Sequence, residues 1–369
     1  MLAAVAAIAV MAFAAIGPSA TVASASNAGP CDPARPHASG SFAETIESGG
    51  LTREYVLHVP TSYDGTAAVA LFFNLHAFAS NIALQDLWSE LPAKGEAEGF
   101  IVVSPNGTVA PGGFRHWNAS QLPAPEPDDV AFLGELLTAM ETALCIDSSR
   151  VYSTGLSNGA FMSSRLACSI PDRIAGIAPV AGAAYYDNCT ADPVPVIAFH
   201  GTADPLVDFA PIEDTVIPAW ATHNGCGLPA EENPLPGTVG VRLVRFASCD
   251  DGATVELYVV FDADPGTPGE QGGGHTWPGS AFVIIPELEA LVGIATQEIS
   301  ANDLMWDFFS ANVPTKPSAV GGIALDAELR APALETSPPS STQFGVAAVF
   351  AVVLALVGVG WYARRRVFK

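Results

Sequence analysis

The stretch from Val151 to Met162 constrains the fold of this chain more than any other. A β-favouring run at 151–154 leads into Gly155-Leu156-Ser157-Asn158-Gly159, and residues 160–168 favour a helix that ends before Pro171. This order predicts a strand, a sharp turn and a helix. Glycines two positions before and after a serine let the strand and the helix pass without a Cβ clash, while the turn exposes the hydroxyl. Ser157 is therefore the candidate nucleophile.

Candidate partners of Ser157 follow it in the chain. A buried strand predicted over 195–199 is followed by a loop that holds Asp204, and a second one, over 255–261, precedes a glycine-rich loop that holds His275. Serine becomes a strong nucleophile when an imidazole accepts its proton, and the imidazole needs a carboxylate to fix its tautomer and stabilise its charged form. The order Ser157, Asp204, His275 therefore predicts a catalytic triad.

Other titratable side chains compete for these roles. Three further aspartates lie at predicted strand ends: Asp208, Asp262 and Asp264. Asp204 is preferred because proline follows it directly and keeps the carboxylate near the end of the strand. His76 and His200 are expected to bond backbone groups in their own loops.

Three segments together resemble one known family. They are Cys145–Ala167, His200–Asp204 and Gly272-Gly273-Gly274-His275-Thr276-Trp277-Pro278-Gly279. In this order they are similar to the poly(3-hydroxybutyrate) depolymerase and feruloyl esterase family of secreted α/β-hydrolases, over about residues 45–312. The resemblance implies hydrolysis of carboxylic esters, with Ser157, Asp204 and His275 as the triad. This chemistry requires no metal or other cofactor.

The loop expected to bind the oxyanion departs from the family's pattern. The family usually has His-Gly at this point, whereas His76 is followed by Ala77. The family's donor amide maps onto Phe78, and the second donor is the amide of Asn158. If the missing glycine held a positive φ angle, Ala77 would strain this loop.

Two tryptophans are candidate substrate-binding residues. Trp117 and Trp277 are expected to line the acyl pocket, and the alternative is that both pack the loops. Aromatic walls suit a hydroxycinnamoyl group from plant cell walls or an apolar polyester segment such as oligo-3-hydroxybutyrate. Two other functions stay open: an acetyl-xylan-type esterase on the same triad, and a catalytically silent hydrolase fold that binds ligands at the cell surface. Only Ala77 favours the silent fold.

Both ends of the chain are apolar. Residues 1–25 fit a secretory signal peptide cleaved near Ala25, and an uncleaved anchor is the alternative. Residues 344–362 are uncharged over 19 positions, long enough for a transmembrane helix. The basic tail at 363–369 favours the cytoplasmic side, which places the rest of the chain on the extracellular face of the membrane.

Between these ends, the sequence predicts one large domain and a stalk. Helices alternate with buried strands over 26–313, which predicts an α/β-hydrolase fold with a doubly wound, mostly parallel sheet. Residues 314–343 are rich in proline and serine and are expected to form an extended stalk. Four of the 15 Lys and Arg residues lie in the basic tail, so 11 basic residues face 38 acidic ones elsewhere, a formal charge of −27. Nucleic acid is therefore not expected as a partner.

Six cysteines without metal-ligand spacing predict disulfides and an oxidising compartment. The helix after the nucleophile ends at Cys168, at the sheet edge where the strand after Cys189 starts, so these two are paired. Cys226 and Cys249 flank one insertion and are expected to close it. Cys31 and Cys145 remain as the third pair.

Overall fold

The computed structural model describes residues 29–120, 126–189, 192–262, 272–281 and 291–312. The predicted signal peptide, stalk, transmembrane helix and basic tail, and Asp264, lie outside the described residues. Within the described ranges, no helix combines the length and the apolar character needed to cross a membrane.

A ten-stranded mixed sheet forms the centre of the domain. In chain order its strands are β1 (Gly40–Ser48), β2 (Leu51–Val59), β3 (Val69–Leu75), β4 (Ile101–Pro105), β7 (Ile146–Leu156), β8 (Gly176–Val180), β9 (Val196–Gly201), β10 (Pro229–Glu232), β11 (Val241–Phe246) and β12 (Val255–Val260). Across the sheet their order is β1-β2-β4-β3-β7-β8-β9-β12-β11-β10. The six central strands of this order are parallel: β4, β3, β7, β8, β9 and β12. An antiparallel pair flanks them on each side, β1 with β2 and β10 with β11. A separate hairpin joins β5 (Thr108–Val109) to β6 (Arg115–His116).

Helices connect the strands and cover the sheet. They are α1 (Ile82–Ser89), α2 (Leu91–Glu98), α3 (Asp129–Ala143), α4 (Asn158–Ser169), α5 (Phe209–Pro211), α6 (Ile217–His223) and α7 (Ala301–Ala311), with a π-helical turn at Ile212–Val216 and a 3₁₀ turn at Asp250–Gly252. At the start of α3, the Asp128 side chain accepts a hydrogen bond from the Ala131 amide.

The sheet is buried on both faces. Along β3, Leu71 and Phe73 pack into one core cluster with α3 and α4, while Phe72 packs into a second cluster with α7. Alternate side chains of a strand point to opposite faces, so the uninterrupted apolar run of β3 follows from its central position. Parallel central strands with helices on both faces agree with the predicted α/β-hydrolase fold.

Three disulfides connect distant parts of this domain. They are Cys31–Cys145, Cys168–Cys189 and Cys226–Cys249, the same pairs that the sequence predicts. The first connects the amino-terminal segment to the start of β7, and the second connects the end of α4 to the chain before β9. The third closes the insertion that contains β10 and β11.

Candidate active site

Ser157 lies in a strained turn between β7 and α4. Its φ and ψ angles are 56° and −113°, a left-handed conformation that costs a non-glycine residue about 1–3 kcal/mol. A Cβ atom on Gly155 or Gly159 would lie 2.4 or 2.1 Å from the carbonyl oxygen of Leu75, so both positions require glycine. The Ser157 side chain forms no capping hydrogen bond with α4. Its hydroxyl is therefore available for chemistry.

Asp204 and His275 form a buried pair. The Nδ1 atom of His275 lies 2.7 Å from Oδ2 of Asp204, and Oδ1 of Asp204 accepts hydrogen bonds from the amides of Leu206 and Val207. Burial alone would raise the pKa of Asp204, but the hydrogen bonds from His275 and the two amides outweigh it and hold that pKa below its usual value. The carboxylate is therefore charged at neutral pH and fixed in orientation.

Close packing of glycines brings His275 to Asp204. A Cβ atom on Gly201, at the end of β9, would lie 2.0 Å from the Gly273 carbonyl oxygen, and one on Gly274 would lie 2.2 Å from that of Val292. The His275 amide also donates a hydrogen bond to the Val292 carbonyl oxygen. The glycine-rich loop thus lies directly against the end of β9, where the sequence places Asp204.

His200 is a second imidazole beside the same carboxylate. Its Nε2 atom lies 3.0 Å from the Val207 carbonyl oxygen, to which it donates, and 3.5 Å from Oδ2 of Asp204. Burial lowers the pKa of His200, so the ring is neutral at neutral pH. The hydrogen bond to Val207 agrees with the expectation that His200 bonds the backbone. The same bond fixes the loop whose amides hold Asp204.

The oxyanion loop differs from expectation at one point. The positive φ angle falls on Ala79, at 59°, while Ala77 is absent from the positive-φ residues of the described chain. The condition for strain at Ala77, a positive φ angle, is therefore not met, and the single argument for a silent fold no longer holds. The Phe78 amide forms no hydrogen bond with any described residue, and the amide of Asn158, the first residue of α4, has no partner within its helix.

A buried histidine, His76, fixes the oxyanion loop through two hydrogen bonds. The Gly107 amide donates a hydrogen bond to Nε2 of His76 over 2.9 Å, and Nδ1 donates to the Ala77 carbonyl oxygen over 2.7 Å. Burial lowers the pKa of His76 to about 3. The ring is neutral and serves as one donor and one acceptor.

Asn158 and Trp117 connect this loop to the nucleophile turn. The Asn158 side chain accepts a hydrogen bond from the Trp117 amide at 2.7 Å and donates one to its carbonyl oxygen at 3.2 Å. The Trp117 indole donates to the His76 carbonyl oxygen at 3.0 Å and packs against Phe132 in the core, with 2% of the residue exposed. These contacts agree with the alternative that Trp117 packs the loops, while its contact with substrate stays a prediction.

Comparisons with known proteins identify the family of this chain. No family model matches the chain. Feruloyl esterase D of Neurospora crassa is 30% identical over 229 residues, which cover 60% of this chain and 76% of that protein. The chain belongs to the feruloyl esterase family. It is a carboxylic ester hydrolase.

Two further proteins resemble this esterase. Feruloyl esterase C of Emericella nidulans is 27% identical over 270 residues, 70% of this chain and 84% of that protein. Among solved structures, acetyl xylan esterase from Aspergillus awamori matches with a TM-score of 0.49 and 15% identity, covering 61% of this chain and 93% of its own.

Trp277 of this esterase lines a cavity beside His275. Its indole donates a hydrogen bond to Oδ1 of Asn302 at 3.1 Å, and Asn302 donates to the Ser89 carbonyl oxygen at 2.7 Å. The described lining also includes Trp88 and Leu156, the residue before the nucleophile. In the described part of the esterase, no cluster of His, Cys, Asp and Glu could hold a metal ion.

Sequence reasoning missed four residues around the site. They are Trp88, the Asn158 side chain, Asn302 and Leu156 as a cavity wall. Only Asn158 carried a signal, because an amide side chain at the first position of a helix can reach back to a neighbouring backbone. The others depend on which loops meet, which the sequence does not encode locally.

Proposed function

We propose that this esterase is a serine carboxylesterase that uses Ser157, His275 and Asp204 as its triad. The observation that carries the proposal is the pair of His275 and Asp204, hydrogen-bonded at 2.7 Å and buried, in the same domain as a serine in a strained and uncapped turn. The pairing assigns Nδ1 of His275 to the carboxylate, which leaves Nε2 to exchange protons with the substrate.

The reaction would proceed in two steps. Ser157 Oγ attacks the ester carbonyl carbon while His275 accepts its proton, and the charged Asp204 stabilises the imidazolium that forms. The amides of Asn158 and Phe78 donate to the oxyanion, a contribution of about 3 kcal/mol for each donor. His275 then protonates the departing alcohol, and water releases the acid from the acyl-enzyme.

The substrates we propose are hydroxycinnamoyl esters, or esters of the oligo-3-hydroxybutyrate type. The names of the related feruloyl esterases favour the first class. The Trp277 wall beside His275 suits an apolar or aromatic group in either class. Acetyl esters would be hydrolysed by the same triad, and they differ from these two classes only in their smaller acyl group.

We also propose that the enzyme works outside the cell, held at the membrane by residues 344–362. Three disulfides among the described residues support an oxidising compartment. The apolar ends of the chain and the basic tail at 363–369 support the orientation.

One experiment tests these proposals together. Intact cells that express the full chain are given methyl ferulate, short 3-hydroxybutyrate oligomers and p-nitrophenyl acetate, with Ser157→Ala cells as the control. We expect hydrolysis without lysis and its loss in the variant, by at least a thousandfold. Hydrolysis that persists in Ser157→Ala would contradict the triad. Hydrolysis seen only after lysis would contradict the location, and the preferred ester decides the substrate class.

A further inference from the structure

Arg53 and Asp129 form an ion pair that is buried at both ends. Nη2 of Arg53, on β2, lies 2.7 Å from Oδ1 of Asp129, the first residue of α3, and the two side chains are 4% and 0% exposed. The guanidinium also packs on the ring of Phe132, 3.8 Å from its centroid. Removing two charges from water offsets most of their attraction, so a buried pair adds little to stability over an apolar one. The backbone groups that the pair bonds therefore indicate its role.

The ion pair holds both ends of residues 106–118, which contain the β5–β6 hairpin and which we call the hairpin segment. Nη2 of Arg53 also donates to the Asn106 carbonyl oxygen at 3.2 Å. On the other side of the pair, Oδ2 of Asp129 accepts a hydrogen bond from the Asn118 amide at 2.7 Å. Both bonds involve a charged group, and such bonds are roughly twice as strong as those between neutral groups. The pair therefore fixes the two ends of the hairpin segment relative to each other.

The hairpin segment bonds the backbone that carries the proposed oxyanion donors. The Gly107 amide donates to Nε2 of His76, and the Trp117 indole donates to the His76 carbonyl oxygen, two residues before Phe78. The Trp117 backbone bonds the Asn158 side chain at 2.7 and 3.2 Å. Gly107 and Trp117 each lie one residue from an end of the segment. A shift of these ends would therefore be passed to the loop of Phe78 and to Asn158.

The far end of the oxyanion loop is bonded to the same segment. The Ala79 amide donates to the Arg115 carbonyl oxygen at 2.8 Å, and the Ile82 amide donates to Oδ1 of Asn106 at 3.2 Å. Asn106 thus accepts from Arg53 through its carbonyl oxygen and from the first residue of α1 through its side chain. The oxyanion loop is therefore held at both of its ends by a segment whose own ends the ion pair fixes.

We propose that Arg53 and Asp129 are positioning residues for the oxyanion donors, acting through the hairpin segment. The proposal rests on the proposed function, since it takes the Phe78 and Asn158 amides as the donors. The pair has no net charge, so it fixes the segment without placing a countercharge near the oxyanion in the resting enzyme. The charge on the oxyanion develops only in the transition state, so displaced donors lower kcat and leave substrate binding unchanged.

Asp129→Asn is the direct test in the full chain. Asparagine keeps an oxygen for the Asn118 amide but removes the charge that holds Arg53. We expect kcat for methyl ferulate to fall about 10- to 100-fold with KM unchanged. Arg53→Met/Asp129→Asn removes both charges, so no unpaired charge is left buried. We expect this double variant to fold even where Asp129→Asn does not, and to lose kcat by a similar factor because the Asn106 carbonyl oxygen has lost its donor.

Affinity for a trifluoromethyl ketone separates positioning from a merely structural role. The Ser157 hydroxyl oxygen adds to the ketone carbon, its proton passes to His275, and the ketone oxygen becomes an oxyanion that needs the same donors. We expect the inhibition constant of the ketone to rise by the factor by which kcat/KM for the ester falls. A change that only loosens the fold would leave this constant as it is.

Asn224→Ala is the matched control for lost stability. Asn224 is fully buried, and its side chain bonds backbone groups of Val194 and Ala253, at the amino-terminal ends of β9 and β12. We expect it to lower the melting temperature but to leave kcat and the inhibition constant unchanged. The proposal is overturned if both ion-pair variants keep the parent's kcat, if KM rises while the inhibition constant stays the same, or if Asn224→Ala lowers kcat equally. Failure of the proposed triad gives a different result, in which Ser157→Ala retains activity.

Discussion

The two sides of Ser157 are built by different means. On the β3 side, His76, Trp117 and Asn158 form a network of neutral hydrogen bonds that holds backbone amides in place. On the β9 side, a buried charge is held by two amides and one imidazole, those of Leu206, Val207 and His275. In the proposed mechanism, the β3 side presents fixed dipoles to the oxyanion and the β9 side exchanges protons.

This difference follows from what each side must do during turnover. The oxyanion carries a full charge only briefly, so fixed dipoles stabilise it without a countercharge in the resting enzyme. The imidazole becomes charged in the same step, and a permanent carboxylate beside it lowers the free energy of forming the imidazolium. We therefore expect substitutions on the charged side to lower kcat most and those on the neutral side to lower it less. We also expect the neutral side to make the free energy of unfolding fall in acid.

The largest expected effect is on the charged side. Asp204→Asn keeps the shape of the side chain but removes the charge and presents an NH₂ group that can favour the wrong tautomer of His275. We expect kcat for methyl ferulate to fall by about 10⁴ with little change in KM. Asp208→Asn is the matched control, because it removes a carboxylate from the same loop without touching His275. Equal losses in both variants would remove Asp204 from the triad.

The second expected effect is on stability, through His76. Its pKa is about 3 in the folded enzyme, against 6.5 for an ordinary histidine, so between these values the unfolded chain binds a proton that the folded chain does not. The free energy of unfolding should therefore fall as pH is lowered from about 6.5 towards 3. Removing this group should make the enzyme less sensitive to acid.

His76→Gln provides the measurement, since glutamine offers a donor and an acceptor but does not titrate. We expect the loss of unfolding free energy between pH 7 and pH 4 to be smaller in this variant by roughly 3 kcal/mol, measured by urea denaturation. His37→Gln is the control, because His37 lies near the surface and contacts the neighbouring Ala38. If His76→Gln and His37→Gln change the pH dependence equally, His76 is not held neutral by burial.

The charged side was the easier one to predict from sequence. Asp204 and His275 each follow a buried strand, and their order in the chain sufficed to predict the pair that they form. Ser157 as the nucleophile of this pair stays a prediction. The neutral side depends on a hairpin meeting a helix 41 residues away, as Asn158 meets Trp117. A tryptophan in a loop fits a pocket and a core equally well, which is why the sequence left both roles open for Trp117.

The fold, too, could be predicted from the sequence only in part. The apolar runs of β3, β9 and β12 predict their strands closely, since central parallel strands are apolar throughout. No strand was predicted at β8, which contains Pro179, a residue that is disfavoured within a central strand. Ala77 and Ala79 illustrate a third case: a φ angle depends on the loop around it, and the positive φ angle of this loop lies at Ala79.

The smallest expected effect tests whether the neutral side acts on the rate at all. Trp117→Phe removes the hydrogen bond to the His76 carbonyl oxygen but keeps an aromatic ring against Phe132. We expect kcat to fall about 5- to 10-fold with KM unchanged, because the loop that carries the Phe78 amide is less well fixed. If Trp117 instead contacted the substrate, KM would rise.

Trp220→Phe is the matched control for this variant. Trp220 is also fully buried, and its indole donates to a backbone carbonyl, that of Ala184, at 2.9 Å. Both variants should therefore lose a similar amount of unfolding free energy, about 1 kcal/mol. Only Trp117→Phe should lower kcat by about 5- to 10-fold. Equal losses of kcat would mean that rigidity of the core as a whole, and not the hydrogen bond to His76, sets the position of the oxyanion donors.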